Sequence, residues 1–163
     1  MGSGDDCPIF VPNLDGERTP NLPTATGSLT GLTSSTTRES LARSIVDGIA
    51  LGLYDGYQVM ERLGVKTEGP IQVTGGAPGS KALVSSLADF FDREIAIADV
   101  DQAVCRGVAV QAAAILEGAS VQDVRDRWRP TVKTFACPRN RAGRAEAIER
   151  YRVAAGWRGM DRK

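Results

Sequence analysis

The stretch IQVTGGAPGSKALVSSLADFF, residues 71–91, decides the fold of this chain. Its first four residues, 71–74, are rich in β-branched side chains and predict a buried strand. Glycine and proline dominate the next segment, 75–80, and predict a turn. Apolar side chains then recur at helical spacing, at Leu83, Leu87, Phe90 and Phe91. The stretch therefore predicts a strand, a glycine-rich turn and an amphipathic helix.

The same alternation continues toward the C-terminus. Residues Glu94–Ala98 predict a second strand, and Asp101 is predicted to cap a helix over Gln102–Glu117. Strands that alternate with helices form parallel sheets, because each helix carries the chain back across the sheet. The sequence therefore predicts an α/β fold in which helices cover parallel strands. Beyond this unit we predict a short helix over 121–128, a loop over 130–138 and a final helix over 140–156.

The region before residue 71 begins with a short apolar run and ends with the longest predicted helix. Residues Cys7–Leu14 contain two prolines, which favours an edge strand or extended segment, since proline cannot donate to a central ladder. Residues 15–37 are rich in Gly, Pro, Ser and Thr, and predict a long loop. From Thr37 onward apolar residues recur at helical spacing until Gly64, so we predict one long amphipathic helix.

Three glycines, Gly48, Gly52 and Gly56, repeat every four residues within that helix. Glycine is unfavourable inside a helix unless another group must approach its backbone closely. A membrane dimerisation stripe has similar spacing, but Asp47 and Asp55 beside the repeat argue against contact with lipid. We therefore predict that this face packs tightly on another helix or on the sheet of the same protein.

Composition limits the chemistry of the chain. Its 163 residues include no histidine, which excludes Ser-His-Asp and Cys-His nucleophiles and His-bearing zinc sites. Its three cysteines lie far apart with no C-x-x-C pair, so we predict neither a zinc knuckle nor a disulfide framework. No apolar run approaches the length of a membrane span, and the N-terminus lacks a signal-peptide pattern. We expect a cytoplasmic protein with no membrane partner and no metal ligands of its own.

The net charge of zero hides an uneven distribution. Residues 1–119 hold 8 Lys and Arg against 15 Asp and Glu, whereas residues 120–163 hold 12 against 5. A basic tail can bind nucleic acid, dock on the acidic body or form the solvated face of a terminal helix. We predict no nucleic-acid binding, because no aromatic platform or base-reading motif accompanies the arginines. The expected division is a body over 1–119 and a helical tail over 120–163 that packs on it.

The glycine-rich turn predicted over residues 75–80 has the chemistry of a nucleotide site. Gly75 and Gly76 let a ligand approach the backbone, and the following helix presents free N–H groups with a partial positive charge. The spacing fits neither the dinucleotide fingerprint nor the phosphate loop. A tight strand-to-helix turn without a ligand would also use glycine. The residues of the turn therefore leave both interpretations open.

Several short motifs occur in order along the chain. They are IFVP at 9–12, GERTP at 16–20, GSLTGL at 27–32, DGIALG at 47–52, GGA at 75–77, LAD at 87–89 and AVCRGVA at 103–109. This order closely resembles the C-terminal lobe of the FGGY family of carbohydrate kinases, and the xylulokinase branch most of all. The resemblance runs from about Gly4 to Glu117, and residues 138–151 resemble the family's C-terminal helix.

The resemblance implies a fold of two actin-like, ribonuclease-H-like lobes with ATP between them, of which residues 1–119 would form part of the C-terminal, ATP-binding lobe. Gly75 and Gly76 then match the adenosine-motif glycines, and Ser80 stands where many relatives place Asn. The implied cofactors are ATP and, in the complete enzyme, Mg²⁺. The implied reaction is transfer of the γ-phosphate of ATP to a sugar hydroxyl, with D-xylulose as the first candidate and D-xylulose 5-phosphate as its product.

The resemblance also implies what the chain lacks. The family's catalytic Asp lies in the N-terminal lobe, for which this sequence has no matching segment, so no catalytic residue is assigned here. We therefore expect a C-terminal part of a kinase that is inactive alone. Gluconate, glycerol or ribulose kinase activity is an alternative within the family. Another is a non-catalytic nucleotide-binding or assembly module, which could form a homodimer through an exposed sheet edge.

Overall fold

The computed structural model describes residues 7–18, 21–100, 102–139 and 142–156. Their strands are β1 (Ile9–Val11), β2 (Ser28–Thr30), β3 (Ile71–Val73), β4 (Ile95–Ala98) and β5 (Val132–Ala136). Their α-helices are α1 (Arg38–Arg62), α2 (Lys81–Phe91), α3 (Ala103–Glu117), α4 (Val121–Arg127) and α5 (Arg144–Ala154). The predicted α/β class is confirmed.

The larger sheet has the strand order β3-β4-β5. β3 and β4 run parallel, with Ile71 beside Ile95 and Val73 beside Ile97, as the strand-helix-strand pattern predicts. β5 is antiparallel to β4, so the prediction of a loop over 130–138 is wrong. A five-residue edge strand carries little periodic signal, and its pairing with β4 defines it.

The smaller sheet consists of β1 and β2, which pair antiparallel with Ile9 beside Thr30. The predicted strand over Cys7–Leu14 is confirmed in its centre. The prediction of a continuous loop over 15–37 is wrong, because β2 lies within it. Three residues are too few to show an alternating pattern, so only the partner strand reveals β2.

The long helix α1 begins next to the predicted start at Thr37, which is its N-cap. The Ser40 backbone N–H donates to Thr37 Oγ1 at 3.1 Å, and the Thr37 N–H donates to Ser40 Oγ at 3.0 Å. These reciprocal bonds satisfy two N–H groups that the first turn leaves without helical partners. The helix ends at Arg62, and Gly64 follows in a left-handed conformation with φ of +81°.

The glycine repeat of α1 is partly explained by close packing. A Cβ atom added at Gly48 would lie 2.2 Å from the backbone oxygen of Phe10 in β1, so only glycine fits there. At Gly52 the added atom would lie 3.0 Å from the hydroxyl of Tyr151 in α5. At Gly56 it would meet no atom within 4 Å. The predicted tight packing is confirmed at the first two positions and absent at the third.

The main core joins α1, α2 and α5 to β1 and β4. Its buried side chains include Ile9, Val11, Leu51, Tyr54, Val84, Leu87, Phe90, Phe91, Ile95, Ile148 and Tyr151. Tyr54 meets Phe91 edge to face, with ring centroids 5.4 Å apart. The helix predicted over 140–156 begins at Arg144, directly after Gly143 with φ of 74°, and Asn140 lies outside the described residues.

Helices α3 and α4 form a hairpin with a small core of its own. Val110, Ala114 and Val124 are its buried residues, and α3 packs mainly against α4. The helix predicted over Gln102–Glu117 is confirmed, with its first residue at Ala103. The predicted N-cap Asp101 lies outside the described residues.

Candidate functional site

The glycine-rich turn lies at one edge of the larger sheet. It follows β3 directly, passes through a single 3₁₀ turn over Ala77–Gly79 and ends at Ser80, the N-cap of α2. Because β3 and β4 are parallel, their carboxyl ends meet at this edge. Ligands of open α/β sheets bind in the crevice beyond the carboxyl ends of the strands. The fold therefore places the turn in a position suited to a ligand.

The backbone of the turn is open to an incoming group. Gly75 has φ of +80°, a conformation that favours glycine. Gly76 has φ of −80°, which any residue adopts. A Cβ atom added at Gly75, Gly76 or Gly79 would meet no heavy atom within 4 Å. Packing inside this chain therefore gives no reason for glycine at position 76, whereas close approach of a ligand would require it.

A cavity of about 510 Å³ adjoins the turn, and we call it the turn cavity. Its lining residues are Thr74, Gly75, Pro78, Gly79, Ile97, Ala98, Asp99, Val100, Lys133 and Phe135. Asp99 follows β4, and Lys133 lies on β5. The cavity thus offers one carboxylate and one ammonium group beside an open glycine backbone.

Ser80 lies at the end of the same turn. Its Oγ accepts a hydrogen bond from the Leu83 backbone N–H at 3.3 Å, which caps α2. A serine hydroxyl that accepts in this way still has a proton to donate. The three residues predicted as nucleotide ligands, Gly75, Gly76 and Ser80, therefore lie together in one turn, and Ser80 also has a structural role.

A second cavity, of about 490 Å³, lies in the groove between α1 and α2. Its lining residues are Glu39, Ala42, Arg43, Val46, Lys81, Ala82, Ser85, Ser86 and Arg139. Three cationic side chains and one carboxylate therefore surround this groove, next to the first turn of α2. A helix N-terminus adds partial positive charge, so the groove favours a negatively charged group.

Two buried carboxylates support the walls of this groove. Asp47 accepts hydrogen bonds from Arg43 Nε at 3.0 and 3.1 Å and from Ser86 Oγ at 2.8 Å. Asp89 accepts from the Arg139 backbone N–H at 3.0 Å and from its Nη2 at 2.6 Å. The hydrogen bonds to Asp89, together with its charge, raise the pKa of Arg139. These pairs fix α1, α2 and the segment after β5 against one another.

Sequence reasoning missed the charged residues of both cavities. Lys133 and Arg139 belong to the basic tail, whose charge count is visible in the sequence but does not indicate which face each residue takes. Only the antiparallel pairing of β5 with β4 brings Lys133 to the turn, and only the ion pair with Asp89 brings Arg139 to the groove.

Two further features concern metals and membranes. Within the ranges that the structure describes, no group of three or more His, Cys, Asp or Glu side chains could hold a metal ion. Among the described helices none is by itself long and apolar enough to cross a membrane, whereas α3 and α4 together reach the length and composition of a span but are bent by 120° at their junction.

Residues 5–116 match a family described as FGGY family of carbohydrate kinases, C-terminal domain. The xylulose kinase of Streptomyces coelicolor is 32% identical over 119 residues, which is 73% of this chain and 25% of that protein. The gluconokinase of Bacillus subtilis is 32% identical over 111 residues, 66% of this chain and 21% of that protein. The chain thus spans about a quarter or less of the length of these relatives.

Solved structures show the same fold. The xylulose kinase from Bifidobacterium adolescentis has a TM-score of 0.72 and 30% identity, over 96% of this chain and 30% of that chain. The gluconate kinase from Lactobacillus acidophilus has a TM-score of 0.79 and 23% identity, over 96% of this chain and 32% of that chain. Almost the whole chain therefore superposes on one part of a much longer protein.

Proposed function

This chain belongs to the FGGY family of carbohydrate kinases, and from that membership we propose that it forms the ATP-binding C-terminal part of a kinase that phosphorylates a sugar hydroxyl. The single observation that carries the proposal is the open turn at Gly75 and Gly76, which lies beyond the carboxyl ends of two parallel strands. Packing within the described residues gives no reason for glycine at position 76, and the proposal assigns it to the approach of the nucleotide.

The residues around the turn fit a nucleotide. The N-terminus of α2 presents N–H groups, and the Ser80 hydroxyl can donate one hydrogen bond to a base or ribose atom. Lys133 is suited to phosphate oxygens, and Asp99 is suited to ribose hydroxyls or an exocyclic amine. The turn cavity brings Gly75, Gly79, Asp99 and Lys133 together around one ligand.

The proposal assigns nucleotide binding to this chain and no catalytic base. The two carboxylates under the α1–α2 groove, Asp47 and Asp89, are buried and paired with arginines, so neither is suited to accept a proton from a sugar. Mg²⁺ bound to ATP supplies charge neutralisation on the phosphates. Phosphoryl transfer needs nucleotide, metal and acceptor positioned together. We therefore propose that the chain alone binds nucleotide without transferring phosphate.

The sugar that we propose is D-xylulose, since the Streptomyces relative and the Bifidobacterium structure are both named xylulose kinase. D-gluconate is the second candidate, because the Bacillus gluconokinase is equally similar in sequence. The three free cysteines, Cys7, Cys105 and Cys137, fit a reducing compartment, so we propose the cytoplasm as the location.

The test is calorimetric titration of the purified chain with ADP, compared with the variant Gly76→Val. A φ of −80° is open to any residue and the added Cβ would meet no heavy atom within 4 Å, so we expect the fold to be retained while the ligand is blocked. We expect at least a tenfold loss of ADP affinity. Gly107→Val is the matched control, because Gly107 is also exposed and uncrowded but lies on α3. Equal ADP affinity of Gly76→Val and wild type would place the nucleotide elsewhere.

A further inference from the structure

The strand β5 lies outside the region that matches the family, yet it lines the turn cavity. The match ends at residue 116, whereas β5 covers Val132–Ala136 and contributes Lys133 and Phe135 to the cavity. In the order β3-β4-β5, this strand lies on the far side of β4 from the glycine turn. Neighbouring strands lie about 4.8 Å apart, so β3 and β5 are separated by roughly 10 Å. A nucleoside is long enough to reach from the turn to β5.

Phe135 carries an exposed aromatic ring. All four phenylalanines of the chain lie in the described ranges, and among them only Phe135 is exposed, at 48%. An aromatic ring in this position forgoes the hydrophobic stabilisation that burial would provide. Pro78, Ile97 and Val100 add further apolar surface to the same cavity. The cavity therefore offers a flat, apolar ring surface that a ligand can cover.

A β-bulge lies at the position of this ring. Ile95 of β4 pairs with Ala136 of β5. The next residue of β4, Ala96, pairs with Thr134, so Phe135 is the extra residue between two paired positions. Bulges bend a strand and redirect a side chain, and they are frequent beside active sites. Ala136 packs against the main core, whereas Phe135 lines the turn cavity.

The segment that follows β5 is fixed to α2 by an ion pair. Arg139 donates to Asp89 from its backbone N–H at 3.0 Å and from its Nη2 at 2.6 Å, and the Asp89 side chain is 1% exposed. Asp89 belongs to α2, whose N-cap Ser80 ends the glycine turn. One helix thus connects the turn to the strand that carries Phe135. A wall that is fixed before the ligand arrives lowers the entropy cost of binding.

We propose that Phe135 stacks on the base of the bound nucleotide, so that β5 supplies the contact that distinguishes a nucleotide from a phosphate compound without a base. The proposal rests on the proposed function and deepens it, because it names the residue that contacts the base. Every base has flat faces that stack on an aromatic side chain. Lys133, two residues earlier on β5, is the phosphate partner proposed above.

The first experiment is calorimetric titration of the purified chain and its variants with ADP. We expect Phe135→Leu to weaken ADP binding about tenfold, because leucine is apolar but has no aromatic face. Phe135→Tyr should bind ADP as the wild type does, since it retains the ring. Val132→Ala is the matched control, because Val132 is 38% exposed on the same strand but does not line the turn cavity. Circular dichroism checks that each variant is folded.

Photolabelling locates the base directly. The probe is 2-azido-ADP, which carries its reactive group on the base, and mass spectrometry identifies the labelled tryptic peptide. Cleavage after Lys133 and Arg139 releases residues 134–139 as one peptide, and we expect the label there. Label confined to other peptides, or equal ADP affinity of Phe135→Leu and wild type, would overturn the proposal. So would dimerisation in light scattering that Phe135→Leu abolishes, since a second copy of the chain would then cover the ring.

The same titrations separate the stacking proposal from the proposed function. ADP binding that Gly76→Val weakens at least tenfold and Phe135→Leu leaves unchanged supports the proposed function and contradicts stacking. A wild-type chain that binds no ADP contradicts the proposed function, and the stacking proposal fails with it. Loss of ADP affinity in both variants, with label on residues 134–139, supports both proposals.

Discussion

The core body, formed by α1, α2, α5, β1 and β4, and the hairpin of α3 and α4 bury their helices differently, although α2 and α3 are similarly apolar. The body encloses side chains from five elements, and Phe90, Ile95 and Val84 are fully buried there. The hairpin encloses three, Val110, Ala114 and Val124. On α3, Val104, Ile115 and Leu116 are more than 80% exposed. Apolar residues at helical spacing therefore predict a helix, whereas their burial depends on how many other elements converge on it.

The region around α1 and α2, and not the α3–α4 hairpin, supports the candidate site. The turn cavity is lined by residues that follow β3 and β4 and by β5, and the groove is lined by α1, α2 and Arg139. The walls of the groove are connected by the Ser86–Asp47 hydrogen bond and the Arg139–Asp89 ion pair. The hairpin contributes to neither. A rigid body can hold a ligand turn in place, whereas a region with few buried contacts opens locally at lower free energy.

The largest effect is expected from Phe90→Ala, which removes a fully buried ring from the body. The loss of burial and the resulting cavity should lower the free energy of unfolding by about 3–5 kcal/mol. Urea unfolding followed by circular dichroism measures it. Phe135→Ala is the control, because Phe135 is 48% exposed, and its effect should stay near or below about 1 kcal/mol. Equal losses for the two variants would contradict the assigned core.

A smaller, local effect is expected from Val124→Ala in the hairpin. This substitution removes two buried methyl groups, worth about 1.5 kcal/mol. Native-state hydrogen exchange should show faster exchange for the amides of α3 and α4 and unchanged exchange for α1 and α2. If the amides of the body respond equally, the hairpin and the body form one cooperative unit, and the contrast between them fails.

The smallest expected effect is a loss of folding stability at alkaline pH. It comes from Tyr151, which lies at the contact of α5 with α1. Burial, and after it the charges of Asp55 and Glu17, raise the pKa of Tyr151 from its ordinary value of 10.0 to about 12. Because the folded pKa is raised, this contribution to stability is complete below pH 10 and is lost as the pH rises toward 12. Urea unfolding at pH 9 and pH 11 should show less alkaline loss for Tyr151→Phe than for wild type. An identical decline would contradict the assignment.

Local signals in the sequence were sufficient for the helices and for the parallel pair of strands. The capping residues Thr37 and Ser40, the periodicity of α1 and the glycines after β3 each act through neighbours within a few residues, so their effect is present in the sequence. The ordered motifs identified the family, because each motif is read directly from consecutive residues. The antiparallel strands β2 and β5 escaped prediction, because each is defined by a partner far away in the chain.

For the candidate site, the sequence by itself determined the turn and its residues Gly75, Gly76 and Ser80. Only the tertiary structure decided that Lys133 joins that turn and that Arg139 pairs with Asp89, 50 residues earlier. It also decided that Ile49, Leu53 and Met60, which the periodicity of α1 assigns to its apolar face, lie exposed within the described ranges. The physical reason is that hydrogen bonds within a turn depend on adjacent residues, whereas burial and ion pairing depend on which distant elements pack together.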